Sequence, residues 1–276
     1  MIKKSLMKKF FFIGSGFVFI IGCLLYLFLD AFYDPNFRTM QDKIASADGV
    51  DLTGLQDLRA SGGFSVSYAD IQKRLRHIKG DKIIVDGINE FHGYIDGVPT
   101  TLLGYHVSDS GLRHLLRRFI VTGSFEKRLD LVTSAGEEAK KFGFDYKNIK
   151  IVSKSVLTDE NVDDIVALFD SLTKDAWLHF HCHHGTGRTS IMLVMLDIMK
   201  NAPKVALEDI VKRQHLLGST DLFNTEKWKY GTYTKEKLEN RKKFIEQFYV
   251  FVVQRKTGGI QRWSDWHRQH MNGGNA

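Results

Sequence analysis

The chain is poor in cysteine and in proline. Among 276 residues there are two cysteines, Cys23 and Cys182, and three prolines. Two thiols in such different contexts build no disulfide framework, so a small stapled scaffold is excluded and each cysteine needs its own explanation. So few prolines, beside 43% hydrophobic and 12% aromatic residues, exclude a collagen-like or disordered chain. Charge of one sign is not abundant either. The net charge is +7, and the first thirty residues supply +3 of it, through Lys3, Lys4, Lys8 and Lys9 against Asp30. The +4 left for the remainder gives no argument for nucleic acid as a partner. Internal repeats and low-complexity linkers are also missing, so residues 31–276 read as one globular unit.

What the chain does have is a long apolar run. Phe10 to Leu29 carries no charged residue, and about twenty helical residues span roughly the 30 Å of bilayer hydrocarbon. The run is longer than a secretory signal core, and no small-x-small cleavage site follows it. Residues 1–30 therefore read as a cytoplasmic tip and a transmembrane signal anchor. The four lysines ahead of the span keep the N-terminus cytoplasmic and place residues 31–276 on the extracytoplasmic, periplasmic or extracellular, side. Ile20-Ile21-Gly22-Cys23 also loosely resembles a lipidation site, but Leu24 to Leu29 continues the apolar run past the cysteine. Cys23 is then a small apolar helix residue.

Downstream, strands alternate with helices, which predicts an α/β fold. Lys82–Val85, Asn148–Val152 and Trp177–His181 read as buried strands. Glu160–Leu172 carries Val162, Ile165, Val166, Leu168, Phe169 and Leu172 at helical spacing, with Thr158 as N-cap and Asp159 in the first turn. Further helices are predicted over Thr189–Lys200, Leu207–Leu217 and Lys235–Gln254.

The chemistry lies between the strand ending at His181 and the helix starting at Thr189. The residues are Cys182-His183-His184-Gly185-Thr186-Gly187-Arg188-Thr189. A tight loop between a strand and a helix N-terminus aims backbone N–H groups at an anion, and Gly185 and Gly187 allow the backbone angles this requires. Arg188 adds a planar fork for two phosphate oxygens. A thiolate at Cys182 can attack phosphorus and form a phosphocysteine, with Thr189 donating to the sulfur as it leaves. Arg188 and the amides neutralise the equatorial oxygens, so the scheme needs neither metal nor cofactor. His179, His181, Cys182, His183 and His184 crowd together as a metal site would, and strand alternation puts His179 and His181 on one face, but the thiol and the loop histidines are expected to point different ways. His181 is expected to orient the loop by hydrogen bonding, and His179 to be a packed strand residue.

This loop resembles that of cysteine-dependent phosphatases of the protein-tyrosine-phosphatase superfamily. One branch, the bacterial tyrosine-phosphatase-like phytases (inositol polyphosphatases), is similar over most of residues 35–270. The resemblance rests on Asn36-Phe37-Arg38-Thr39, Leu52-Thr53-Gly54-Leu55, Leu58 to Gly62, and Asp86, Glu90, His92 and Gly93. It continues through Asp175 to Cys182, Arg213-Gln214-His215, Ile245 to Tyr249, and Trp263-Ser264-Asp265-Trp266. It implies a tyrosine-phosphatase-like core with a central sheet flanked by helices, room for a small β-rich insert, and a phosphorylated small molecule or phosphoprotein as substrate.

Two departures stand out. The family's third stretch carries an arginine that reaches substrate phosphate, whereas this chain reads Asp86-Gly87-Ile88-Asn89-Glu90. The family's general acid is an aspartate, and an ungapped count back from Asp175-Ala176-Trp177 lands on Ser153. Asp159 is the nearest candidate for a displaced acid. Lys229, Arg241 and Lys237 are candidates for a basic rim over the pocket, while Arg38 and Arg59 match family positions without a clear ligand role. The sequence thus supports a phosphomonoesterase acting through Cys182. The alternative is a pseudophosphatase that binds phosphate and turns it over poorly.

Overall fold

The computed structural model describes residues 16, 18–29, 33–227 and 233–272. Residues 18–29 are helical. Residues 10–15 and 17 of the expected span lie outside the described residues, and among the described residues no helix is long and apolar enough to cross a membrane.

The central sheet is built from β1 (Arg38–Thr39), β2 (Ala60–Phe64), β3 (Lys82–Asp86), β6 (Asp145–Asn148) and β7 (Trp177–Cys182), in the order β1-β2-β7-β3-β6. β1 runs antiparallel to β2, and the other pairings are parallel. β7 is the middle strand. All six of its residues are buried, as the doubly covered strand of a parallel sheet requires. Among the described residues, the strands outside the central sheet form one two-stranded ribbon, β4 (Tyr94–Ile95) and β5 (Val98–Pro99).

Helices cover both faces. α5 (Gly187–Asn201) follows β7 directly and packs on β2 and β7, with α6 (Leu207–Leu216) and α7 (Lys235–Lys256) outside it. Every residue from Arg188 to Ile198 is buried, so α5 is an interior helix without a polar face. The same face holds α4 (Asp159–Ser171), which buries Val162, Ile165, Val166 and Phe169 as its spacing predicts, and whose N-cap Thr158 accepts from Asn161 N at 3.3 Å. α8 (Trp263–Asn272) closes it with Trp263 and Trp266 against Phe251. On the opposite face lie α1 (Tyr68–Arg74) and α3 (Ala135–Lys141), where Tyr68, Ile71, Leu75 and Ala139 pack on Ile84 and Trp177. One further helix, α2 (Leu112–Thr122), packs Val121 into a small cluster with Ile95 and Val98 of the ribbon.

One predicted strand is displaced. Asn148–Val152 was expected to be extended in the sheet, but the ladder ends at Asn148, where the side-chain amide donates to Asp86 O and Ile88 O at 3.0 Å each. Ile149 and Ile151 are apolar because they enter the main core from a loop.

Candidate active site

β7 ends on Cys182, and its end is fixed from both sides. Ser65 N donates to Cys182 O at 3.0 Å and Gly87 N to His181 O at 2.9 Å, so the chains leaving β2 and β3 both hold it. The loop then turns through Gly185, whose φ is +64°; a Cβ there would lie 2.4 Å from the Gly63 carbonyl carbon. Only glycine meets both conditions. Thr186 precedes α5 without a side-chain cap, so the helix opens with N–H groups that no capping side chain satisfies.

These residues floor a cavity of about 410 Å³. Cys182, His183, His184, Thr186, Gly187 and Arg188 come from the loop, joined by Glu90, His106, Ser153, Lys154 and Tyr233. The Cys182 thiol, the loop and the Arg188 guanidinium therefore share one concavity at the carboxyl edge of the parallel strands, where open α/β sheets place ligands. Among the described residues, no group of three His, Cys, Asp or Glu side chains is placed to hold a metal ion.

Arg188 is aimed by two partners. Its Nη1 donates to Glu90 Oε2 at 2.9 Å and to Ile151 O at 3.1 Å. Burial opposes ionisation of Glu90, but the Arg188 hydrogen bond and charge outweigh it and hold the carboxyl below its ordinary range. Glu90 is thus an anionic clamp for the guanidinium and a poor proton donor. Behind it, Asp86 accepts from Tyr146 Oη at 2.7 Å and from Ile88 N at 2.8 Å, and pairs with His92 Nε2 at 2.5 Å. Burial raises the Asp86 carboxyl, yet the imidazole of His181 and the bonds from His92 and Tyr146 prevail and lower it. Burial likewise disfavours charge on His92, but its bond to Asp86 wins and raises its pKa. His92 Nδ1 lies 2.7 Å from Glu90 O, which ties this pair to the clamp.

The loop is held from below by Arg38. Its Nη1 donates to Gly185 O at 2.9 Å and Asn36 O at 2.8 Å, its Nε to Ser219 Oγ at 3.1 Å, and its Nη2 to Ser190 Oγ at 3.2 Å. Burial lowers this guanidinium to about 10, partly countered by the charges of Cys182 and Asp34; it remains cationic at neutral pH. The imidazoles are different. Burial, then His184, His106 and Arg188, push His183 down to about 3; burial also lowers His184 and His106. They present neutral hydrogen-bonding rings, with His106 edge-on to His183 at 4.2 Å.

The other expected residues fall elsewhere. Thr189 Oγ1 donates to Gly63 O at 3.5 Å, not to the sulfur, because its methyl fills the space above Gly62. His181 does not orient the loop by hydrogen bonding. Neither ring nitrogen has a hydrogen-bond partner, and Nε2 lies 3.7 Å from Asp86 Oδ2 inside the core. His179 packs as expected, its Nδ1 2.9 Å from Ser61 Oγ. Asp159 does not line the cavity. Its Oδ1 accepts from Trp263 Nε1 at 2.8 Å and sits 2.9 Å from His267 Nδ1, which fixes α8 on α4. Arg241 does not line the cavity either. It donates to Asp221 O and Asn224 O and lies 5.8 Å over the Tyr233 ring, supporting that residue from behind. Lys237 is exposed on the first turn of α7, and Lys229 lies outside the described residues. Arg59 caps the far end of the sheet through Lys79 O and Asp175 O. Ser153, by contrast, lines the cavity beside Lys154, as the ungapped count places it. Glu90 was legible as a matched position without a role. His106, Lys154 and Tyr233 carried no signal beyond their residue types.

Comparison with known proteins narrows the reading. A family model described as PTPlike_phytase, inositol hexakisphosphate, matches residues 100–200. Effector protein hopD2 of Pseudomonas syringae pv. tomato is 25% identical over 261 residues, covering 83% of this chain and 56% of that protein. Uncharacterized protein AvrBs1.1 of Xanthomonas campestris pv. campestris is 33% identical over 95 residues, covering 34% of this chain and 91% of that protein. Among solved structures, the tandemly repeated protein tyrosine phosphatase like phytase from Mitsuokella multacida is similar at a TM-score of 0.67 and 25% identity, covering 84% of this chain and 46% of that one. This chain spans about half the length of hopD2 and of the Mitsuokella phytase.

Proposed function

The chain belongs to the protein-tyrosine-phosphatase-like phytase family, and from that premise we propose that it is a cysteine-dependent phosphomonoesterase acting on inositol phosphates. The observation that carries the reading is Cys182 on the floor of a cavity that also holds the loop amides and the clamped Arg188. In the first step the Cys182 thiolate attacks phosphorus, an S–P bond forms, and the P–O bond to the inositol breaks. The departing oxygen keeps the electron pair and takes up a proton. In the second step water attacks phosphorus, loses a proton, and inorganic phosphate leaves as the S–P bond breaks. Arg188 and the α5 amides carry the charge on the equatorial oxygens through both steps.

A second reading, a phosphate-binding pseudophosphatase, is favoured by one observation. Ser153 occupies the place where a proton-donating carboxyl would serve, and the carboxylate that does line the cavity, Glu90, is ion-paired. Phosphate release from inositol hexakisphosphate, wild type against Cys182→Ser, separates the two. Release that Cys182→Ser abolishes supports the enzyme. Binding of the same ligand by wild type without release supports the pseudophosphatase.

Phe10–Leu29 is proposed as a single membrane anchor, with its N-terminus cytoplasmic and the catalytic domain on the other side. Support comes from the uncharged run, the four preceding lysines, and the exposed apolar side chains of residues 18–29, among them Val18, Phe19, Leu25 and Leu29. Retention of the full chain in vesicles through alkaline carbonate washing, with residues 31–276 open to protease on the side opposite the N-terminus, is the expected result.

A further inference from the structure

Large hydrophobic side chains stand exposed in two concentrations. Eight lie on residues 18–29, and six lie between Leu112 and Leu131, namely Leu112, Phe119, Ile120, Phe125, Leu129 and Leu131. The rest of the described chain has six more, scattered from Tyr33 to Val250. Isolated exposed apolar residues are ordinary on a protein surface, but a concentration marks an interaction site.

The second group forms a surface. Leu112, Phe119 and Ile120 stand seven and eight residues apart on α2, which puts them on one helix face. The Phe119 and Phe125 rings stack at 4.7 Å, so the face runs on past the helix end. Leu112 is 72% exposed, although α2 is otherwise anchored by Arg118, which donates to Leu103 O at 3.0 Å and Phe125 O at 2.9 Å.

The two concentrations are joined. Arg113 Nη2 donates to Tyr26 O at 3.0 Å and Arg117 Nε to Leu27 O at 2.5 Å, and the Arg113 guanidinium lies 5.2 Å over the Tyr26 ring. α2 therefore grips the end of the apolar helix, at the level where the expected anchor would leave the hydrocarbon. The segment after Phe125 is charge-balanced: Lys127 Nζ donates to Tyr105 O at 3.2 Å and Val107 O at 2.6 Å, Arg128 pairs with Asp130, and Glu126 is exposed. An exposed apolar face held beside the emerging end of a membrane anchor lies at the depth of the bilayer interface, where apolar side chains can bury in the acyl boundary.

We propose that α2 and the segment to Leu131 are a bilayer-docking face that seats the catalytic domain on the membrane from which its anchor emerges. The proposal rests on the anchor reading. Its consequence for the site is direct, because His114 of α2 lies 6.2 Å from His106, which lines the catalytic cavity. Docking through α2 brings that wall of the cavity to the headgroup layer, so phosphate monoesters displayed on the membrane are within its reach.

The test uses the full chain in vesicles of phosphatidylcholine and phosphatidylglycerol. In a Cys23→Ser, Cys182→Ser background, an environment-sensitive fluorophore is attached at Ile120→Cys or, as control, at Val250→Cys, an exposed position of α7. Quenching by lipids carrying a nitroxide on the acyl chain is then read. The expected result is strong quenching at Ile120→Cys and none at Val250→Cys. No quenching at Ile120→Cys, in protein that stays with the vesicles through carbonate washing, overturns the docking face and leaves the anchor intact. Equal quenching at both sites overturns it as well. Release of the protein by carbonate washing overturns the anchor reading, and this proposal falls with it. A label at Ile120→Cys that becomes shielded in lipid-free detergent as protein concentration rises assigns the face to a second copy of the chain instead.

Discussion

At the scale of single residues, the cavity brings together Cys182, its loop and Arg188, and Ser153 lines it where the count back from Asp175 places the family's proton donor. An alkoxide leaving from inositol needs a proton, whereas a nitrophenolate hardly does, and a general acid is worth about 10²–10⁴-fold in rate. Wild type is therefore expected to turn over p-nitrophenyl phosphate far faster than inositol hexakisphosphate. Ser153→Asp should raise turnover on the inositol phosphate by about tenfold or more and leave the aryl phosphate nearly unchanged, as steady-state phosphate release would read. Efficient wild-type cleavage of inositol hexakisphosphate that Asp159→Asn reduces would contradict this, and would require Asp159 to leave Trp263. A second residue-scale expectation concerns His92. Its pKa is raised in the folded chain by Asp86, so its contribution to stability is fully present below its unfolded value of about 6.5 and is lost as pH rises through the folded value. The difference in urea midpoint between wild type and His92→Gln should accordingly be larger at about pH 5.5 than at about pH 9. Much of this residue chemistry was legible in the sequence because Cys182, both glycines and Arg188 lie within one turn of chain. Arg38 was legible only as a matching position. Its role depends on Gly185, 147 residues away, and no local pattern encodes such a contact.

At the scale of elements, strands and helices with one dominant period were readable and loops that fill the core were not. α4 announced itself through Val162, Ile165, Val166 and Phe169, and β7 through an unbroken buried run. Ile149 and Ile151 look like strand residues because their side chains are buried, although their backbone has left the sheet. The α5–α6 contact is another case. Arg213 and Asp197, both fully buried, pair through Nε and Oδ2 at 2.9 Å, and Gln214 Nε2 and Asn201 Nδ2 add bonds at 2.9 Å and 2.8 Å. Arg213 also donates to Asp51 O at 3.0 Å and Thr53 O at 2.9 Å, pinning the segment before β2. The Arg-Gln-His stretch signalled family likeness but not this partner on the preceding helix. Removing one member strands a buried charge, which costs about 3–5 kcal/mol. Asp197→Ala should thus lower the urea midpoint sharply, while a distant exposed substitution such as Glu236→Ala should not.

At the scale of the whole molecule, the cavity edge draws on β2, β3 and β7 and on the loop after β6, and among the described residues none of these contacts uses residues 16–29. The described links to the N-terminal helix include bonds from α2 to Tyr26 O and Leu27 O and the Arg113 guanidinium over the Tyr26 ring. A fragment of residues 31–276 should therefore unfold cooperatively in urea, with a midpoint close to that of the full chain in detergent. An aggregated fragment beside a folded full chain would show that the helix is part of the domain rather than attached to it.

Arg38 has one more implication, for the time before the fold is finished. The strand that carries it is the first of the sheet, and its guanidinium reaches both the Gly185 carbonyl and the Ser219 hydroxyl. Those partners are separated from it by 147 and 181 residues. A nascent chain that has exposed Cys182 but not yet Ser219 thus has the thiol before Arg38 has all its partners, and cleavage between Arg38 and Gly185 is expected to weaken the loop. Competence to bind phosphate is therefore expected to report that the chain from Arg38 to Ser219 is in place. Retention on an immobilised phosphate analogue would sort finished molecules from unfinished ones during synthesis.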